Sequence, residues 1–128
     1  MLTVLPIQDK NVQKELCELC GASFDAHSFA YRADDGEFLG VCQFKFVSGV
    51  GEISAFNYAP NTSDDEAMII MLRTAMNFMH RCGLKKSVFL KDSAPEALLN
   101  ISSYGKNEGG IYEIDLDKFY ISPCHYNK

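Results

Sequence analysis

Gly51-Glu52-Ile53-Ser54-Ala55-Phe56-Asn57-Tyr58-Ala59-Pro60, continuing as Asn61-Thr62-Ser63-Asp64-Asp65-Glu66-Ala67-Met68, holds the strongest local signals in this chain. Residues 52–58 read as an extended strand. Pro60 stops it, because proline offers no ladder N–H and presets a turn. Ser63 and Glu66 have the spacing of a capping box, in which each side chain satisfies an orphan backbone N–H at a helix start. From Ala67 onward Met68, Met71, Leu72, Ala75, Met76 and Met79 recur at helical spacing, and Gly83 supplies a left-handed stop after Cys82. Asp64, Asp65 and Glu66 stand where the helix dipole favours negative charge, with Arg81 near the other end. The expectation is a strand–turn–helix unit over 51–83. A ligand would meet its turn, where strand ends and helix N-termini present unpaired N–H groups.

Outward from this unit, residues 2–7 read as a short strand. Asp9 caps a helix whose Val12, Leu16, Leu19 and Cys20 share a face and which ends at Gly21. Residues 28–33 form a strand, and Asp35-Gly36 is the dipeptide of a type I′ hairpin turn. The long strand over 37–47 puts Phe38, Gly40, Cys42, Phe44 and Phe46 on a buried face and Leu39, Val41, Gln43, Lys45 and Val47 on a mixed one. Gly49 and Gly51 make the next turn. Beyond the long helix, Ser87-Val88-Phe89-Leu90 is a short apolar run suited to a central strand. Pro95 fits the first turn of a helix over 94–102, and residues 111–116 alternate as a last strand. The order is β-α-β-β-β-α-β-α-β, an α+β fold with helices on the faces of a mixed sheet. No repeat or linker divides the chain, which reads as one domain over 1–128.

The 128 residues are 47% hydrophobic, which suits a buried core rather than disorder. Seventeen acidic residues against 12 basic ones give a net charge of -5. That balance excludes nucleic acid as a partner, since phosphates need concentrated Lys and Arg. No segment approaches the roughly 20 apolar residues that span a bilayer, and residues 1–6 have neither the basic flank nor the cleavage site of a signal peptide. Five cysteines, an odd number without scaffold spacing, read as free thiols in a reducing, cytoplasmic setting.

The element order, with its meander, long helix and short second helix, resembles the acetyl-CoA-dependent N-acetyltransferase (GNAT) superfamily over nearly the whole chain. Two patterns carry the resemblance. Gly51-Glu52-Ile53 through Tyr58-Ala59-Pro60 is similar to that family's fourth strand and its terminal V-x-P. Ala97-Leu98-Leu99 through Ser103-Tyr104, with Tyr112-Glu113-Ile114-Asp115-Leu116, is similar to its last helix and strand. The resemblance implies a slot where the fourth strand splays from the fifth, with acetyl-CoA as cosubstrate threading it. Its pantetheine would bond to the main chain near Phe56 and Tyr58. It also implies a primary amine acceptor, either a small molecule or a peptide. Glu52, at the start of the fourth strand, is then the candidate general base that deprotonates the acceptor ammonium. Tyr104 is the candidate acid for the leaving thiolate, or else a packing residue where the helix ends.

The family's pyrophosphate loop, Q/R-x-x-G-x-G/A, is degenerate here. Aligned from Pro60, its positions hold Ser63, Glu66 and Met68, and the arginine and both glycines are absent. Glycine there lets backbone N–H groups approach phosphate closely. Asp64, Asp65 and Glu66 instead repel it: a like-charge pair at about 4 Å costs about 4 kcal/mol at an effective dielectric of about 20. A micromolar affinity is worth only about 8 kcal/mol. The alternative reading is therefore a non-catalytic binding module that kept the scaffold and lost the phosphate loop.

Other candidates read structurally. Cys17-x-x-Cys20 lies on the first helix, and a zinc site there would need two more ligands from Cys124, His125 and His27. His80 suits a helix C-terminus. The edge strand over 2–7, or the tail after Phe119, could pair with a second copy as a homodimer.

Overall fold

Thr3–Pro6 (β1) and Lys10–Leu19 (α1) open the chain in the computed structural model, which describes residues 1–121. Phe29–Asp34 (β2), Phe38–Val47 (β3) and Val50–Tyr58 (β4) form the meander, and Asp65–Arg81 (α2) is the long helix. Lys86–Phe89 (β5), Glu96–Ile101 (α3), Gly105–Lys106 (β6), Tyr112–Asp115 (β7) and Leu116–Ile121 (α4) complete the described chain. The strands make one mixed sheet in the order β1-β2-β3-β4-β5-β7-β6. Among the described residues only β4 and β5 run parallel; the other neighbours are antiparallel. The α+β reading and its order hold. A two-residue β6 and a short α4 are added where the sequence suggests loop and tail. Cys124 and His125 lie outside the described residues. Among those residues no helix is long and apolar enough to cross a membrane.

Three local readings move by a residue or a turn. The cap of α2 is Asp64, whose carboxylate accepts the Ala67 N–H at 3.0 Å. The third helical residue is then Ala67 rather than Glu66, so the Ser63–Glu66 capping box does not form. At the first hairpin only Gly36 has positive φ (74°), whereas a type I′ turn requires two such residues. A bulge at Ala33/Asp34 lets the three residues 35–37 span the turn instead. The positive pair belongs to Ser48 (51°) and Gly49 (81°), between the paired residues Val47 and Val50. Gly51 is therefore a strand residue, placed under α2.

Two apolar clusters fill the two faces of the sheet. On one face Met68, Met71, Leu72, Ala75, Met76 and Met79 of α2, all fully buried, pack on Phe44, Ile53 and Phe56. On the other, Ile7, Cys17, Ala30 and Val41 form a smaller core under α1. The buried positions of α1 are Gln13 and Cys17, and Leu19 is exposed. Its inward face is thus offset from the apolar one read in the sequence, because α1 delivers polar side chains to the sheet.

Close approach of α2 depends on glycine. A Cβ on Gly51 would stand 2.5 Å from Met79 Sδ. One on Gly40 would meet Met68 Sδ and stand 2.9 Å from the Asn57 carbonyl oxygen, which belongs to a neighbouring strand and cannot swing aside. Gly40→Ala should lower stability by about 1–3 kcal/mol, the usual cost of overpacking. A urea melt reads this directly; an unchanged midpoint would mean that β3 and β4 shift freely.

Candidate functional site

The site begins where β4 and β5 part. Their parallel register runs Val50–Lys86, Gly51–Ser87, Glu52–Val88 and Ile53–Phe89, and a last bond joins the Leu90 N–H to the Ile53 carbonyl at 2.9 Å. β4 continues for five residues to Tyr58 without β5 beside it. The divergence coincides with a bulge: Phe44 pairs with Ile53 and Gln43 with Ala55, which leaves Ser54 as the extra residue. A bulge bends and twists its strand, and here it carries the end of β4 away from β5.

Gln43 fixes that bulge from the α1 side. Fully buried, it donates from Nε2 to Ser54 Oγ (3.0 Å) and to the Ser23 carbonyl (2.9 Å). Its Oε1 accepts from Gln13 Nε2 (2.9 Å), from the Asp25 N–H (3.1 Å) and from Cys17 Sγ (3.5 Å). Loop, helix and bulge are thereby tied to one amide. In the sequence Gln43 is one polar residue on a mixed strand face, and Gln13 offers no motif to pair with it.

Past the bulge, β-alternation turns the N–H groups of Phe56 and Tyr58 toward the gap, while the Ala59 N–H points back to the Leu39 carbonyl at 2.9 Å. The Phe56 N–H is engaged: the Ser93 carbonyl accepts it at 2.8 Å and Asn57 Oδ1 at 2.9 Å. The Phe56 ring is fully buried against α2. Tyr58 donates its hydroxyl to Asp65 Oδ1 at the start of α2. Burial, together with that carboxylate, pushes its phenol up to about 12. The fit to a CoA chain is therefore incomplete. The Phe56 N–H that an amide-bearing arm would use is already taken, and Asp64, Asp65 and Glu66 at the α2 N-terminus do not suit a diphosphate.

Glu52 is half-buried at the last paired position but one before the gap. Lys45 stands opposite it on β3, but its ammonium pairs with Asp25 at 3.2 Å, so Glu52 has no ion partner among the described residues. The Asp25 carboxyl is held down at about 2, chiefly by the His27 N–H and then by the Ser28 hydroxyl.

Tyr104 lies elsewhere. It is 5% exposed and donates to Ser87 Oγ at 2.9 Å, and Ser87 Oγ donates in turn to the Gly51 carbonyl at 2.9 Å. Its ring meets Phe89 edge-on with centroids 4.6 Å apart. It bridges the paired half of β4 and β5 rather than the open half, and burial pushes its phenol far above the ordinary range. It is packed between Phe89 and Ser87 in the core.

The remaining candidates are dispersed. The Cys17 and Cys20 thiols are both pushed up to about 11, first by burial, which disfavours the thiolate that a metal or redox site needs. Among the described residues no three His, Cys, Asp or Glu side chains are grouped to hold a metal. His80 Nε2 lies 3.3 Å from Asp117 Oδ1, and its ring stacks on Tyr120. A concavity of about 560 Å³ between β5, β6 and β7 is ringed by lysines. Lys86 there is paired with Glu113 at 3.1 Å, and Lys85 with Asp117 at 3.1 Å.

No family profile matches this chain, and no curated protein does. Solved structures do. Spermidine N-acetyltransferase from Vibrio cholerae superposes with a TM-score of 0.69 at 11% identity, over 94% of this chain and 96% of that one. A putative acetyltransferase of the GNAT family from Desulfovibrio desulfuricans gives 0.68 at 11% identity, over 91% and 99%. The IAA acetyltransferase from Bacillus cereus is 18% identical with a TM-score of 0.57, and the match spans 70% of this chain and 65% of that one, just under two thirds of its length. Superposition over nine tenths or more of this chain shows the fold: this chain has the GNAT acyltransferase fold.

Proposed function

We propose that this protein is an N-acetyltransferase that moves an acetyl group from acetyl-CoA to a primary amine of a small molecule or peptide. The observation that carries the reading is the parting of β4 from β5 after Ile53, at a bulge held by Gln43, beside the start of α2. In this reading the main chain at Phe56 and Tyr58 holds the pantetheine arm. Glu52 takes a proton from the acceptor ammonium, directly or through water. The freed amine attacks the thioester carbonyl carbon, the C–N bond forms and the C–S bond breaks; the nitrogen gives its remaining extra proton to water, and the departing thiolate takes a proton from water. Tyr104 is left out of that last step, because its proton is committed to Ser87. Isothermal titration and a thermal-shift assay with acetyl-CoA test the reading. Absence of both heat and stabilisation at millimolar acetyl-CoA would remove it.

A second reading, a binding module without catalysis, is favoured by one specific arrangement. Asp64 already caps α2, and Asp65 is tied to Tyr58, so carboxylates stand where an acetyl-CoA diphosphate would lie. Both are exposed, so the low end of the Coulomb range applies, about 1 kcal/mol per pair at about 4 Å in water. Asp65→Gly with Glu66→Arg is expected to tighten CoA roughly tenfold to a hundredfold, more at low salt than at high. Tighter CoA binding with a native partner still bound supports the second reading; flat CoA affinity would mean that the carboxylates do not obstruct a diphosphate and would remove its support.

A further inference from the structure

Residues 90–94 link β5 to α3, and several observations meet there. The Ser93 carbonyl accepts the Phe56 N–H at 2.8 Å, so a piece of the chain itself lies across the gap and engages a donor that faces it. The Ser93 hydroxyl is buried without any hydrogen-bond partner, an arrangement that folded interiors avoid. Asp92 has φ 61°, in the left-handed region that side chains adopt at a cost. Leu90, Asp92 and Ala94 also help line a concavity of about 250 Å³, together with Leu99 and Tyr112. The segment thus closes the gap at a local cost and has space into which it can withdraw.

We infer that residues 90–94 form an autoinhibitory strap, which shuts the β4–β5 gap and must withdraw before the pantetheine arm of a thioester substrate can enter. The inference rests on the acetyl-CoA reading above. An arm in the gap and the Ser93 carbonyl compete for the same Phe56 N–H, so they exclude each other. The apparent dissociation constant is then the intrinsic one divided by the fraction of molecules whose strap is withdrawn. Closure is a main-chain contact, so the means of control is backbone preference rather than side-chain chemistry. Asp92 provides it, being exposed and in the left-handed region.

Two substitutions at that position push in opposite directions. Asp92→Gly removes the cost of the left-handed conformation and keeps the strap shut. Asp92→Val, β-branched, raises that cost and releases it. Both delete the same negative charge, so a purely electrostatic effect moves both variants alike. The probes for isothermal titration are CoA and pantetheine, the latter free of the diphosphate and so blind to the acidic turn. The expected result is that Asp92→Val binds both probes about tenfold more tightly than wild type, and Asp92→Gly binds them more weakly. Equal affinity in all three proteins, or a shift in the same direction for both variants, overturns the strap and leaves the cofactor reading standing. Binding of neither probe by any of the three, with melting curves intact, overturns the cofactor reading and the strap with it.

Discussion

Glu52→Gln is expected to lower kcat for acetyl transfer by about a hundredfold to ten-thousandfold, the usual contribution of a positioned proton acceptor. The amide keeps the shape of the side chain and cannot take a proton at neutral pH. The residue is half-buried beside the gap, and the cation opposite it is held by Asp25, so no ion pair is lost with the charge. Stability should therefore stay within about 0.5 kcal/mol of wild type, as for substitutions that break no buried contact. A pre-steady-state assay with acetyl-CoA and a panel of primary amines separates the two quantities. A fall of less than threefold, with KM unchanged, would assign proton removal to solvent.

Gln43→Leu should cost roughly 3–5 kcal/mol of folding stability. The volume is nearly conserved, so the loss is one of hydrogen bonds and not of packing. Removing the amide leaves the Ser23 carbonyl and the Asp25 N–H without their partner and takes from Ser54 Oγ the bond that holds the bulge. Each buried polar group left unsatisfied costs about 1–3 kcal/mol. Gln43→Glu provides the contrast: it keeps an acceptor for the Asp25 N–H and loses the donor to Ser23 and Ser54. Chemical denaturation of both variants reads the difference. A Leu variant within about 1 kcal/mol of wild type would mean that the 23–28 loop does not depend on this residue.

Much of the architecture is legible in local chemistry. The α2 stripe from Met68 to Met79 and the Gly83 stop each stand where one rule puts them, and the apolar run over 87–90 supplies β5 except for Leu90, which lies beyond its end. The places where the reading slips are those where tertiary partners decide. Asp64 displaces Ser63 as cap, since either side chain suits a helix start and the path of the turn through Asn61 (φ 63°) chooses between them. Ser48-Gly49 takes the type I′ geometry that Asp35-Gly36 advertises, because a bulge changes the register of the first hairpin. In the candidate site, Glu52, Phe56 and Tyr58 stand along β4 as expected, on either side of the bulge. Ser93 and Gln43 are invisible in the sequence for a physical reason. One acts through its carbonyl, which every residue possesses, and the other through partners 11 to 30 positions distant.

The contact between α2 and the sheet is made largely by thioethers, and this has a mechanical consequence. Met68, Met71, Met76 and Met79 are unbranched and bend at three torsions each, so they refill a changing space by turning instead of leaving voids. Such a bedding is compliant: the helix can tip by a fraction of an ångström against β3 and β4 with little loss of contact. The end that tips sits over the mouth where β4 runs alone, and a soft bearing at that point lets the opening vary in width while the fold beneath keeps its shape.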